Sequence, residues 1–339
     1  MFDATMLWTS TSFGARLIRG ALLPASALFR AATTVRDALY SAGVLRAHEL
    51  GAPAISVGNL TVGGTGKTPF ASWLAEQFIA RGAHPAILLR GYGGDEVAVH
   101  GRLSPSTIVV ANSDRVAGAK AARDRGADVL VLDDAFQHRR VARNIDVVLI
   151  SADSVGAAQW PLPSGPWREP VTAVRRARLV VVTAKAASDA DVRRTIDAVR
   201  AASPNTQTSV VRFDSGALVQ WGSFAQKQLS EVRDRRALAV SAIGDPAAFV
   251  AQLRAAGLTV ESVAERDHYL FTAADAARLS EKARRNDLTI CTLKDAVKLG
   301  PLWPPDAPPL WYLSQRLRVE RGAEILAGLV AELLAARRA

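Results

Sequence analysis

The stretch Thr61-Val-Gly-Gly-Thr-Gly-Lys-Thr68 decides the fold. It follows an apolar run, Ala54 to Val57, and opens a helical pattern from Lys67 to Arg81 that places Ala71, Leu74 and Phe78 on one face and stops at Gly82. A glycine-rich loop between a strand and a helix can turn backbone N–H groups toward phosphate oxygens. A lysine then reaches the β- and γ-phosphates, and a hydroxyl meets Mg²⁺. Gly66, Lys67 and Thr68 match that arrangement. Thr61 stands where G-x-x-x-x-G-K-S/T has its first glycine, but Gly63 and Gly64 keep the backbone free to turn. Thr61, Val62, Gly63, Gly64, Thr65, Gly66, Lys67 and Thr68 are therefore the expected nucleotide-binding residues, with Thr68 also on the metal.

On either side of this loop, short apolar runs alternate with helical patterns, as in a mostly parallel sheet covered by helices. The expected strands are Ala86 to Leu89, Thr107 to Val110, Val129 to Leu132, Val147 to Ile150 and Leu179 to Val182. A helix should start after Ser113 as N-cap and end near Gly126. A second α/β/α unit follows. Its strands are Ala237 to Ala242, Leu258 to Val263, Leu288 to Leu293 and Leu310 to Leu313, and its helices begin at Pro246 and at the capping box Thr272-x-x-Asp275. The polar stretch Ser203 to Ser215 reads as the boundary. The expected organisation is a basic helical segment over 1–50, a P-loop domain over 51–210 and a smaller α/β domain over 211–339.

Asp133-Asp134 ends the apolar run Val129 to Leu132. Ligands in open α/β sheets gather at the carboxyl ends of strands, where a carboxylate can hold the nucleotide's Mg²⁺. Either aspartate fits. The pattern so far implies a nucleoside triphosphate bound with Mg²⁺; ATP and phosphoryl transfer follow from the resemblance below and from the lack of a guanine reader.

Charge narrows the partners. The chain has 339 residues and a formal charge of +10, which favours anionic ligands or an anionic membrane surface. No aromatic-and-basic pattern or zinc-ligand spacing points to nucleic acid. The single cysteine, Cys291, lies in an apolar run, excludes an internal disulfide and fits a reducing compartment. Gly20 to Phe29 is too short to span a bilayer. Leu28, Ala32, Val35, Leu39 and Ala42 share a helical face near Arg16, Arg19, Arg30, Arg36 and Arg46. That segment suits either a helix docked on its own domain or a basic amphipathic element on lipid headgroups.

Further motifs carry a family resemblance. Asp133-Asp-Ala-Phe-Gln-His138 resembles the D-D-G-x-Q-H element of the tetraacyldisaccharide 4′-kinases, with Ala135 for the glycine. Ser56 to Pro69 is similar to that family's extended P-loop, which also carries threonine where the first glycine is expected. Arg90-Gly-Tyr-Gly93, Gly165-Pro-Trp-Arg-Glu-Pro170 and Lys294-Asp-Ala-Val-Lys298 resemble its other elements in the same order. The resemblance implies transfer of the ATP γ-phosphate to the 4′-hydroxyl of a tetraacylated glucosamine disaccharide 1-phosphate. It also implies a monomer working from the cytoplasm, peripheral on the inner face of the cytoplasmic membrane. By the same resemblance Asp95 is the proton acceptor supported by His268, Lys67 serves transfer, and Glu96 joins the metal residues. Arg115, Gln137, His138, Arg168 and Glu169 lie near phosphates or the disaccharide. Val97 and Tyr269 depart from the family's proline and second histidine. The competing reading, a GTPase-like nucleotide switch or metal-insertion factor, lacks a guanine-reading N-K-x-D: Lys185 is followed by Ala-Ala-Ser-Asp189.

Overall fold

The computed structural model describes residues 7–8, 10–91, 94–154 and 159–337. In chain order the helices and strands are α1 (Phe13–Ala21), α2 (Leu23–Ser41), β1 (Ala54–Asn59), α3 (Lys67–Ile79), β2 (Pro85–Leu89), α4 (Asp95–Leu103), β3 (Ile108–Ala111), α5 (Arg115–Asp124), β4 (Val129–Asp133), β5 (Ile145–Ser151), β6 (Leu179–Ala184), α6 (Asp189–Ala202), β7 (Gln207–Gln220), β8 (Gln226–Lys227), β9 (Arg236–Ser241), α7 (Pro246–Ala255), β10 (Thr259–Ala264), α8 (Ala273–Ala283), β11 (Leu288–Thr292), α9 (Leu293–Leu299), β12 (Leu310–Arg321) and α10 (Ala323–Ala336). The chain divides into two compact units: 1–92, 100–212 and 317–339 form one, 93–99 and 213–316 the other.

In the first unit the strands run β7-β6-β5-β1-β4-β2-β3, every neighbouring pair parallel. The chain leaves β1 toward β2, β3 and β4, then crosses to the other side of β1 for β5. That reversal opens a crevice beyond the carboxyl ends of β1 and β4. Both the glycine loop and Asp133 stand there. Phe70, Leu74 and Phe78 of α3 are fully buried. Ala119 and Ala122 of α5 pack with Ala86, Leu88, Leu130 and Leu132.

The second unit is an α/β/α layer, and alternation along β9 shows why. Leu238 and Val240 join the cluster built with Ala276 and Leu279 of α8. Ala237 and Ala239 face the other way, toward Phe249 and Leu253 of α7. Successive side chains on a strand point to opposite faces, so both faces are apolar and both are covered. Cys291 is buried in the α8 cluster, where burial pushes its thiol pKa well up.

Two sequence readings need correction. The division between units falls after Arg212, within the stretch Ser203 to Ser215, and there the chain is strand: β7 covers Gln207–Gln220. Ser, Thr and Gln look like a loop by composition, but extended backbone accepts them when partners on both sides complete the ladder. The second unit does not continue to 339, because 317–339 return to the first. The N-cap of α5 is Asp114 rather than Ser113. Its carboxylate accepts from the amides of Val116 and Ala117, which hold its pKa below the usual range.

At the N-terminus, Pro24 sits in the first turn of α2, where its missing N–H costs nothing. Ser26 and Asp37 are three turns apart on one face and dock the helix. Ser26 Oγ meets Ser164 Oγ at 2.8 Å, and Arg176 reaches Asp37 at 3.1 Å. The opposite face carries Leu28, Val35 and Leu39, all exposed. The helix is docked, and its predicted apolar stripe is not the docked face. No described helix is long and apolar enough to cross a membrane.

Candidate nucleotide and phosphoryl-transfer site

The loop after β1 is held from below by buried polar contacts. Asn59 Nδ2 donates to Thr65 Oγ1 at 3.1 Å, and Thr183 Oγ1 donates to the Thr65 carbonyl at 3.0 Å. Lys185 Nζ reaches the Gly64 carbonyl at 3.1 Å. Gly66, N-cap of α3, has φ 86°, a left-handed conformation that a side chain would strain. At Gly58 a Cβ would lie 2.4 Å from Cβ and 2.9 Å from the backbone N of Phe136, so only glycine lets β1 pass that residue.

The segment Gly165 to Pro170 closes on the start of the loop. The Val62 amide donates to the Pro166 carbonyl at 2.7 Å, and the Arg168 amide donates to the Leu60 carbonyl at 2.7 Å. Its side chain then binds Asp134, with Nη1 at 2.8 and 2.9 Å from the two carboxylate oxygens. Lys67 Nζ lies 3.7 Å from the same carboxylate. Asp134 is thus engaged by two cations, on a backbone with φ 51°.

Asp133 is different. It is buried, and Thr68 Oγ1 donates to its Oδ2 at 3.3 Å. His100 Nε2 lies 3.0 Å from that oxygen. Burial would raise the Asp133 pKa, but the hydrogen bond and charge interaction with His100, then Lys67 and Thr68, outweigh it and hold the carboxyl below its ordinary value. Its other oxygen, Oδ1, is buried without a hydrogen-bond partner. An orphaned carboxylate oxygen beside the hydroxyl that follows the loop lysine fits a divalent cation. Among the described residues no three His, Cys, Asp or Glu cluster as a metal cage.

The remaining expected residues divide. Arg115, expected near substrate, is buried, with Nη2 donating to the Asp133 carbonyl at 2.9 Å. Gln137 donates to the Asn59 carbonyl at 2.8 Å. Both support backbone at the site. Glu169 is buried against Arg176 at 2.7 Å, while its Oε1 is unpartnered. His138 is half-buried, and burial followed by the charges of Arg115 and Arg143 lowers its pKa. In the second unit Asp95 opens α4 with Glu96 beside it. His268 Nδ1 stands 4.0 Å from Asp95 Oδ2, on a backbone with φ 57°. This is an ion-pair distance, too long for a hydrogen bond. Tyr92 and Gly93 lie outside the described residues.

Sequence reading missed His100, Ser72, Asn59 and Lys185. His100 and Ser72 sit on helical patterns whose periodicity marks them only as inward-facing, and nothing local pairs either with Asp133.

A glycine loop after β1, a lysine and hydroxyl opening α3, and a buried carboxylate ending the adjacent strand define a P-loop nucleotide-binding phosphotransferase. The profile of the tetraacyldisaccharide-1-P 4′-kinase family matches residues 18–100 and 93–334, and the chain belongs to that family. Tetraacyldisaccharide 4′-kinases of Anaeromyxobacter dehalogenans and Geobacter metallireducens are 39% and 35% identical to it. The alignments cover 91% and 85% of this chain and 86% and 90% of those relatives. A crystal structure of LpxK from Aquifex aeolicus in complex with ATP superposes with a TM-score of 0.74 at 27% identity, over 93% of this chain and 99% of that one.

Proposed function

We propose that the protein transfers the γ-phosphate of ATP to the 4′-hydroxyl of a tetraacylated glucosamine disaccharide 1-phosphate. The observation that carries this reading is Lys67, Thr68 and the half-partnered Asp133 gathered at the glycine loop. Phosphoryl transfer asks a protein mainly to position groups and neutralise charge. Lys67 faces the β- and γ-phosphates, and the backbone of 61–66 cradles them. Thr68 and Asp133 would hold Mg²⁺, which would neutralise charge on the transferring phosphate. Asp134, paired with Arg168, orients Lys67 rather than binding metal. Asp95 accepts the sugar hydroxyl proton, and His268, 4.0 Å away, stabilises the carboxylate as it does so. Glu96, beside Asp95, is an additional metal-side carboxylate, and Glu169 and His138 face the acceptor.

The switch reading gains no support, since the guanine reader is absent and the family is a kinase family. The acceptor is multiply acylated, and each buried CH₂ is worth about 0.8 kcal/mol, so it does not readily leave a bilayer. The enzyme therefore works at the membrane surface, through the exposed stripe of α1 and α2: Phe13, Leu17, Leu28 and Val35. A monomer on the cytoplasmic side completes this reading. Thin-layer assay of purified protein with radiolabelled ATP and the acylated disaccharide 1-phosphate tests the reaction. Label on the 4′-position is expected. Hydrolysis of GTP in preference to ATP, with no labelled lipid, would overturn the reading.

A further inference from the structure

In the first unit, two side chains that the proposed mechanism leaves unused form a buried chain ending on Asp133. His100, on α4, is fully buried. Its Nδ1 lies 2.7 Å from Ser72 Oγ and its Nε2 3.0 Å from Asp133 Oδ2. Ser72 is buried on α3, one turn after Thr68. Residues four apart share a helical face. Thr68 thus reaches Asp133 Oδ2 directly, at 3.3 Å, and Ser72 reaches it through the imidazole.

This arrangement is asymmetric. Thr68 and His100 converge on one carboxylate oxygen, while Oδ1, equally enclosed, has no protein partner. Leaving a buried carboxylate oxygen unpaired is costly. A carboxylate required only for folding would be met at both oxygens. One held at a single oxygen is fixed in rotamer with the other kept for a ligand. Partners of this kind set the orientation of metal-binding groups, and losing one commonly costs 10- to 100-fold in metal affinity.

We propose that His100, itself held by Ser72, is a positioning residue that fixes the Asp133 carboxylate so that its unpartnered oxygen faces the magnesium of the bound nucleotide. The inference rests on the phosphotransferase reading above, in which Asp133 holds that ion. His100 touches neither nucleotide nor acceptor. It acts only through Asp133.

The test is binding of a fluorescent ADP analogue to the full chain, in EDTA and across a magnesium titration, with thermal melting as the check on folding. Wild type tightens its grip on the analogue as magnesium is added. A wild type indifferent to magnesium would remove the metal reading of Asp133, and this inference with it. For His100→Leu, affinity in EDTA stays within about twofold, while the magnesium midpoint rises about tenfold or more. His100→Gln can still donate from its amide and returns the midpoint to within about threefold. An unchanged midpoint in folded His100→Leu overturns the proposal. So does an equal loss of binding in EDTA, which marks a purely structural histidine. If His100→Leu does not fold, Ser72→Ala decides: it keeps the imidazole but frees its far nitrogen, and a midpoint rise of about threefold is expected. No shift in Ser72→Ala overturns the proposal.

Discussion

The polar groups at the glycine loop and the Asp95–His268 pair are built in opposite ways. Asp133 is 4% exposed, fastened by Thr68 and His100, and surrounded by groups that are themselves bonded to backbone. The His268 side chain is 66% exposed and stands 4.0 Å from its partner on a left-handed backbone. Buried networks strengthen electrostatics and hold geometry before a ligand arrives. Asp95 itself is only 11% exposed, so the open half of the pair is the histidine, which gains full strength only when substrate excludes water around it; catalytic contacts in ligand-free proteins are often long. On the proposed roles, the nucleotide side is prearranged, and the pair proposed to accept the proton waits for its acceptor.

The largest loss is expected from Lys67→Ala. The side chain meets Asp134 at 3.7 Å rather than the apolar core, so the protein should fold normally and, on the proposed role, lose about 10³-fold in turnover. Turnover near wild type in the folded variant would reject the prearranged nucleotide site. A second test addresses the Asp95–His268 pair. Asp95→Ala and His268→Ala should each slow turnover by about 100-fold, within the range of acid–base catalysis. If they act as one proton-accepting group, the double variant is about as slow as the worse single one. Multiplying losses would show two independent residues.

Smaller effects separate the two aspartates. Asp133→Asn should raise the magnesium needed for half-maximal turnover by about tenfold or more. Asp134→Asn, which loosens Arg168 and Lys67, should lower turnover with little change in that requirement. The reverse pattern would exchange their assignments. The smallest effect is at the surface. Arg30→Glu with Arg36→Glu should reduce co-sedimentation with anionic vesicles by a few fold at low salt, with the difference fading as salt rises. Activity on detergent-dispersed acceptor should be spared. Equal vesicle binding by native and charge-reversed proteins would end the membrane role of this face.

What could be read from sequence was what lies close together along the chain. The loop 61–68, the capping box at Thr272 and the carboxylates ending β4 carry their meaning in fixed local spacing, and the structure places each in that local setting. Ser72, His100 and Asp133 are 28 and 33 residues apart, and their contact depends on how α3, α4 and β4 pack. No local pattern encodes that. The same limit hid β7, whose ladder partners come from distant segments, and the return of 317–339 to the first unit. It also left Asp133 and Asp134 equivalent. What separates them is a neighbour's reach: Arg168 for one, His100 for the other.

One feature of the N-terminal region sets a length scale. Ser26 is bonded to Ser164, and Asp37 to Arg176; between those anchors in sequence lies Arg168, which grips Asp134 beside Lys67. Helix α2 extends for about 28 Å at 1.5 Å per residue, with its bare stripe along the far side. The helix and the phosphate loop therefore share one mounting. Whatever surface the stripe rests on, the reacting phosphate hangs at a stand-off fixed by those bonds, as a tool tip is fixed by its jig. If that surface is the acceptor's own layer, as proposed, the acceptor must present its hydroxyl at that height, and selection among acylated sugars would begin with how far each headgroup stands out.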